Sequence, residues 1–316
     1  MSDPKLYIHV KMATHFLRWE LPEFAKHFEI VDSPASDTIL LSFGPDALDE
    51  ASRLPARARF AVLFPGFSFN PVRDLGVREA QLLTIRENFR QVFINPGPLE
   101  IAYADLENVS FYPFSIDVNT VTLKGFRTAI DTLLHVSHDN PQKDWRRSEA
   151  VMHKTGLDYE VFPPRDSGAL EKHSRRGQRL DLLHEKFGSP RPKRLPVGYF
   201  DHKRTIAKYQ EYDGFVHVAR EVRHPEFIDG KYTASLIEAG VTGGILFWHD
   251  TWDLGNGLET VFDLPLDSSV AAREILEIRS SIDVRAHSQR TREEMLDVFN
   301  PQGSVRVRVE RMMELL

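Results

Sequence analysis

The chain has 316 residues, 41% of them hydrophobic, and a formal net charge of -6 at pH 7. Such a length suits two domains at roughly 100 to 200 residues each, and the acidic balance leaves nucleic acid as an unexpected partner. With no cysteine, disulfides, thiolate zinc sites and cysteine nucleophiles are excluded.

The first residues, Met1-Ser2-Asp3-Pro4-Lys5, run straight into a strand pattern without the apolar core of a signal peptide. No apolar run reaches the ~18 to 20 residues that span a bilayer, so the expected location is cytoplasmic. Short apolar runs at 6–10, 38–43, 60–64, 92–95 and 109–112 read as strands, with helical patterns at 17–28, 46–54 and 77–89 between them. That alternation predicts α/β architecture with parallel strands buried on both faces. The polar stretch 113–124 is the expected crossing to a second domain, which divides the chain into 1–120 and 121–316, with the last helix able to return to the first domain.

The second half opens with the strand pattern Thr132-Leu133-Leu134-His135-Val136. Asp139 or Asn140 can then cap a helix with Pro141 in its first position, which puts Lys143 in the first turn and Gly156 at the end. A strand at 158–162 precedes a stretch, 172–194, in which Lys172, Arg175, Arg176, Arg179, Lys186, Arg191, Lys193 and Arg194 accumulate. This stretch reads either as a solvated helix and loop or as a peripheral surface for anionic lipid headgroups or a phosphate-bearing acceptor. A helix at 206–212 and a strand at 215–218 follow. Next comes Lys231-Tyr232-Thr233-Ala234-Ser235-Leu236-Ile237-Glu238-Ala239-Gly240-Val241-Thr242-Gly243-Gly244, leading into the strand Ile245-Leu246-Phe247-Trp248. A helix with Tyr232, Thr233 and Ser235 in its first turn offers N–H groups and a positive dipole end to an anion, with Glu238 one turn on. Ala239, Gly240, Gly243 and Gly244 let that helix approach the next strand closely. A loop at 249–259, a strand at 260–264 and two helices complete the chain. Asp267 or Ser268 would cap the first helix, and Thr291-Arg292-Glu293-Glu294 has capping-box spacing for the second.

In element order over roughly 109–300, and in the segment around Glu238-Ala239-Gly240, the chain resembles GT-B glycosyltransferases of the retaining, group 1 (family 4-like) kind. The resemblance implies two Rossmann-like domains facing each other across a cleft. It also implies transfer of a sugar from a nucleotide-activated donor, UDP- or GDP-linked, to a glycan, lipid-linked or protein acceptor, with no metal and no cofactor. Donor-binding positions carried over are His138, Lys143, Gly230, Lys231, Tyr232, Thr233, Ser235 and Glu238, with Lys143, Glu238 and Asp229 as the catalytic set. Two positions depart from the family pattern. Gly230 stands where the first glutamate of the acidic pair falls, with Asp229 beside it, and His138 stands where an arginine contacts the diphosphate. Cations and N–H dipoles aimed at the departing phosphate would stabilise the charge that grows there.

The acceptor belongs on the first domain, where His9, Lys11, His15, Gly66, Phe67 and Asn70 lie at or near strand ends, although His9 reads equally as a core residue. His249, Asp250 and Asp253 resemble metal ligands only superficially, since acids in loops ordinarily cap turns. Two other readings keep the fold: a sugar-nucleotide epimerase and a non-catalytic nucleotide-sugar-binding protein. A role in surface glycan synthesis rests on the resemblance alone.

Overall fold

A computed structural model of the chain describes residues 3–11, 15–44, 47–63, 75–113, 115–116, 121–137, 143–162, 202–220, 231–251, 253 and 257–316. Among these residues the strands form two parallel sheets. The first contains β1 (Lys5–Val10), β2 (Glu29–Val31), β3 (Ile39–Phe43), β4 (Ala58–Leu63), β5 (Gln91–Ile94) and β6 (Val109–Phe111), in the order β2-β1-β3-β4-β5-β6. Helices α1 (His15–Phe24), α2 (Leu48–Ala51), α3 (Leu75–Asn88) and α4 (Pro98–Tyr103) connect them. β3 is buried at every residue because both faces are covered. Leu40, Ala61 and Val92 pack with Ile85 of α3 and Tyr103 of α4 on one side, while Leu6, Leu41 and Phe60 pack with Phe24 of α1 on the other.

The second sheet holds β7 (Thr132–Val136), β8 (Asp158–Phe162), β9 (Gly214–His217), β10 (Ile245–Trp248) and β11 (Val261–Asp263), in the order β11-β10-β9-β7-β8. Its helices are α5 (Trp145–Thr155), α6 (His202–Tyr209), α7 (Ala234–Val241), α8 (Ser268–Ser281), α9 (Val284–Val298) and α10 (Pro301–Glu314). In each sheet the strand order reverses beside the first strand, at β1/β3 and at β7/β9. Ligands of open α/β sheets bind outside the carboxyl ends of the strands at such reversals.

Several expectations need correction. The three residues of β2, Glu29-Ile30-Val31, form an exposed edge with only two apolar residues, too short a run to read as a strand, and the helix predicted over 17–28 ends at Phe24. Helix α4 escaped the reading although Gly97-Pro98 announces it: Pro98 opens the helix and the Gly97 N–H donates to the Glu100 carboxylate at 2.7 Å. Three helices close the chain where two were expected. Thr291 caps nothing; it is buried within α9 and its hydroxyl donates to the His287 carbonyl at 3.0 Å. The caps are Asp267, Asp283 and Asn300. A Thr-x-x-Glu spacing says nothing about whether the chain is already helical, and here Asp283 has started the helix upstream.

Arg127 anchors the segment that leads into β7. Its buried guanidinium donates to the carbonyls of Tyr212 (2.9 Å), Thr242 (3.1 Å) and Tyr209 (2.8 Å), and its own N–H reaches the Ser288 hydroxyl at 3.0 Å. Residues 121–124, the end of the expected crossing between domains, are tied to α6 and its C-terminal turn, since the Gln210 amide bonds both Thr122 O (2.9 Å) and Lys124 N (3.0 Å). The final helix α10 crosses back to the first sheet, burying Val305, Val309 and Met312 against Leu6, Phe24 and Ile39. There Arg308 and Glu20 form a bidentate pair at 2.7 and 2.6 Å, both fully buried. The Ser115 N–H also donates to Glu20, at 3.1 Å, and the Ser304 hydroxyl donates to Pro113 O at 3.0 Å. The two chain crossings thus run together, held by polar bonds that are shielded from water.

Candidate active site

The reversal at β7/β9 is built around two buried histidines. Ladder pairing between these strands runs through Leu133↔Gly214 and Leu134↔Phe215. Beyond it, His135 Nδ1 bonds the Val216 carbonyl at 2.8 Å and its Nε2 meets the Ser137 hydroxyl at 2.8 Å. The His135 ring stacks on His217 with centroids 5.3 Å apart, and His217 stacks on Trp248, its neighbour across the β9/β10 ladder, at 4.3 Å. Burial first, and then the nearby His135, Lys143 and His249, hold the His217 imidazole well below the usual histidine range.

Lys143 follows β7 at the carboxyl end of the sheet, and its charge is felt by His217. It precedes α5 rather than occupying its first turn, because the helix begins at Trp145 after Asp144, which is left-handed at φ 38°. The Asp144 carboxylate accepts from Arg147 Nε at 2.8 Å and from the Arg220 N–H at 3.3 Å. Ser148 of α5 receives the Val218 N–H at 2.9 Å, so the chain leaving β9 is fastened to the start of α5. Gly156, at φ 74°, ends the helix as expected, the left-handed turn suiting a residue without Cβ.

Helix α7 brings its N-terminus to the same end of the sheet, because it follows the β9 exit and returns into β10. Thr233 is its cap, with its hydroxyl accepting from Leu236 N at 3.4 Å, and Ser235 sits in the first turn. Tyr232 was expected within that turn; it precedes the cap and is buried against Phe299, with ring centroids 5.3 Å apart. Glu238 lies one turn along, near the buried Tyr209 hydroxyl. Burial and the Glu238 charge hold that phenol well above its ordinary value. The glycines behave as their positions suggest. A Cβ on Gly240 would meet Met295 Cγ at 2.6 Å and Leu246 Cδ1 at 3.1 Å, and one on Gly244 would meet the Ala239 carbonyl at 3.0 Å.

Burial, then the carboxylates of Glu100, Glu294 and Asp250, push the Tyr232 phenol up to about 12. Glu100 belongs to α4, so this tyrosine senses a charge from the first sheet's helices. Lys231 stands over the Tyr232 ring at 5.5 Å. After β10, His249 Nδ1 bonds the Leu264 carbonyl at 2.7 Å and the Asp250 N–H bonds Asp263 at 3.0 Å. Among the described residues no group of three or more His, Asp or Glu side chains could hold a metal ion.

Of the residues assigned to the acceptor, the structure locates two side chains. His9, on β1 at the first sheet's reversal, is buried, with Nε2 3.9 Å from the Glu50 carboxylate, while Lys11 pairs with the same carboxylate at 3.2 Å. His15 opens α1. Gly66, Phe67 and Asn70 lie outside the described residues, as do His138, Asp229, Gly230 and the stretch 172–194. Sequence reasoning missed His135, Ser137, His217 and Trp248. The available signal was a histidine near the end of each of two apolar strands, Leu133-Leu134-His135 and Phe215-Val216-His217.

No family model matches the chain, and no curated protein matches its sequence. Solved structures do match its fold. HepE of Anabaena, solved with UDP, has 10% identity over 98% of this chain and 100% of its own, with a TM-score of 0.59. AviGT4, a glycosyltransferase involved in avilamycin A biosynthesis, has 12% identity over 99% and 97%, also with a TM-score of 0.59. TarM has 13% identity and a TM-score of 0.58; the match covers 89% of this chain but only 55% of TarM. With two parallel sheets, each reversing beside its first strand, the chain has the GT-B fold of two Rossmann-like domains.

Proposed function

We propose that the protein transfers a sugar from a nucleotide-activated donor to an acceptor. The observation that carries this is that the N-terminus of α7 stands at the carboxyl end of the second sheet, where His217 stacks on Trp248 and feels the charge of Lys143. A lysine and a helix N-terminus stabilise the charge that develops on a departing diphosphate. In this reading Glu238 binds the ribose, Thr233, Ser235, Lys231 and Tyr232 line the diphosphate, and His138, Asp229 and Gly230 complete the donor site. His9 and Lys11 of the first domain, 1–120, face the acceptor, and 121–316 holds the donor. HepE has been solved with UDP and with UDP-glucose, which supports a UDP-sugar as the first donor to test. Retention of configuration and catalysis without a metal belong to the same proposal.

The test is binding of UDP, GDP, ADP, CMP and TDP to the wild type, Lys143→Ala and Glu238→Ala, followed by release of free nucleotide from the matching sugar donor. One nucleotide should raise the melting temperature of the wild type, with the shift lost or strongly reduced in both variants. If a nucleotide binds but its sugar is never transferred or hydrolysed, a non-catalytic nucleotide-sugar-binding role replaces the transferase. Gly230, where the family pattern has a glutamate, favours that second reading.

A further inference from the structure

We infer that Tyr209 is a positioning residue for the donor ribose: its buried phenol O–H holds the Glu238 carboxylate in the orientation that grips the ribose hydroxyls. The inference rests on the proposed donor site, in which Glu238 binds the ribose, and concerns a residue outside that site.

Tyr209 closes α6, and its surroundings fix it twice. Its backbone carbonyl accepts from the Arg127 guanidinium at 2.8 Å, and its ring stands edge-on to Phe215 of β9 with centroids 6.0 Å apart. The ring belongs to the same buried cluster as Leu236 and Ile237 of α7. Only the hydroxyl is left without a structural task. Its oxygen is shut off from solvent and, among the described residues, meets no partner at hydrogen-bond distance and angle. A hydroxyl stranded in this way weakens a fold, and phenylalanine would fill the same space without that cost.

The polar side chains that bear on the hydroxyl are Ser235 and Glu238, three residues apart on the half-buried flank of α7 and both part of the proposed donor site. A carboxylate only accepts, so Tyr209 is the donor towards Glu238 and its oxygen is the acceptor for Ser235. Burial and the Glu238 charge push the phenol up, so the proton to be donated is in place at neutral pH. The carboxylate has two oxygens: one takes the phenol proton while the other takes the ribose hydroxyls. Donor binding draws Glu238 into this arrangement and turns the stranded O–H into a charge-assisted hydrogen bond, with no covalent bond made or broken. Because the hydroxyl is shut off from solvent, its effect reaches the ligand only through Glu238.

The experiment is calorimetric titration of the full chain with UDP, GDP, ADP and CMP, each against its 2′,3′-dideoxy counterpart, for the wild type, Tyr209→Phe and Glu238→Ala. The wild type should prefer the ribonucleotide it binds by about tenfold or more over the dideoxy form, the scale of hydrogen bonds to a charged group. Tyr209→Phe should bind the dideoxy form as the wild type does and lose most of the preference, to within about threefold. Its melting temperature should equal or exceed that of the wild type, since a stranded hydroxyl is removed. A preference that survives intact in Tyr209→Phe overturns the inference alone. So does an equal loss of affinity for both forms, or a clear fall in melting temperature, either of which makes the hydroxyl part of the empty fold. Wild-type binding without any ribose preference overturns the Glu238 contact and the inference with it. Binding of no nucleotide to the wild type overturns the donor site itself.

Discussion

The pair between Glu20 and Arg308 joins α1 to the helix that returns from the second domain, and its removal has a computable cost. Both groups are fully buried, their two bonds are 2.7 and 2.6 Å long, and the Ser115 N–H leans on the same carboxylate. Arg308→Met leaves that carboxylate in the core without its cation, a loss of about 3 to 5 kcal/mol. For a domain of this size, each kcal/mol is worth roughly 2 to 4 °C, so calorimetric melting should fall by about 6 to 20 °C. Glu20→Gln keeps an acceptor for Ser115 but strands the guanidinium, and should cost about 2 to 4 kcal/mol. The double variant, Glu20→Leu with Arg308→Met, buries no charge. It should cost less than the Arg308→Met single, with the residue of the loss, about 1 to 3 kcal/mol, coming from the Ser115 N–H. Strictly additive losses in the Glu20→Leu/Arg308→Met cycle, or a drop under about 2 °C for Arg308→Met alone, would refute the claim that these groups act as one buried unit.

Arg127→Met takes a donor from four carbonyls, those of Gly125, Tyr209, Tyr212 and Thr242, and urea unfolding followed by tryptophan fluorescence should show a loss of about 3 kcal/mol. His217 has a folded-state pKa below its unfolded value of about 6.5, so the unfolded chain binds more protons as pH falls. The stability it contributes is complete above pH ~6.5 and declines on acidification, a decline that His217→Phe should reduce in melts from pH 8 to 5. Gly240→Ala drives a methyl into Met295 and Leu246; despite the better helix propensity, it should destabilise by about 1 to 2 kcal/mol and weaken nucleotide binding through a displaced α7. Equal stability and affinity in that variant would show that the close approach is dispensable.

The amino-acid sequence by itself determined every described strand except β2, the two-domain α/β class and the close approach of α7 to β10, because these follow from local patterns. Apolar runs of four to six residues, glycines at positions of contact and caps such as Asp267 act within a few residues of themselves. It did not disclose β2, whose exposed edge offers only Ile30 and Val31 as an apolar run, or the start of α9, which Thr291 mimicked. Tertiary structure alone decided which distant groups meet. His135 and His217 are 82 residues apart in the chain, as their numbers show, and stack only because β7 and β9 are neighbours in a reversed strand order. Glu20 and Arg308 stand 288 positions apart and pair because α10 recrosses to α1. Periodicity reports which face of an element is apolar; it carries no information about which other element will cover that face, and polar contacts at the centre of this protein depend on that second choice.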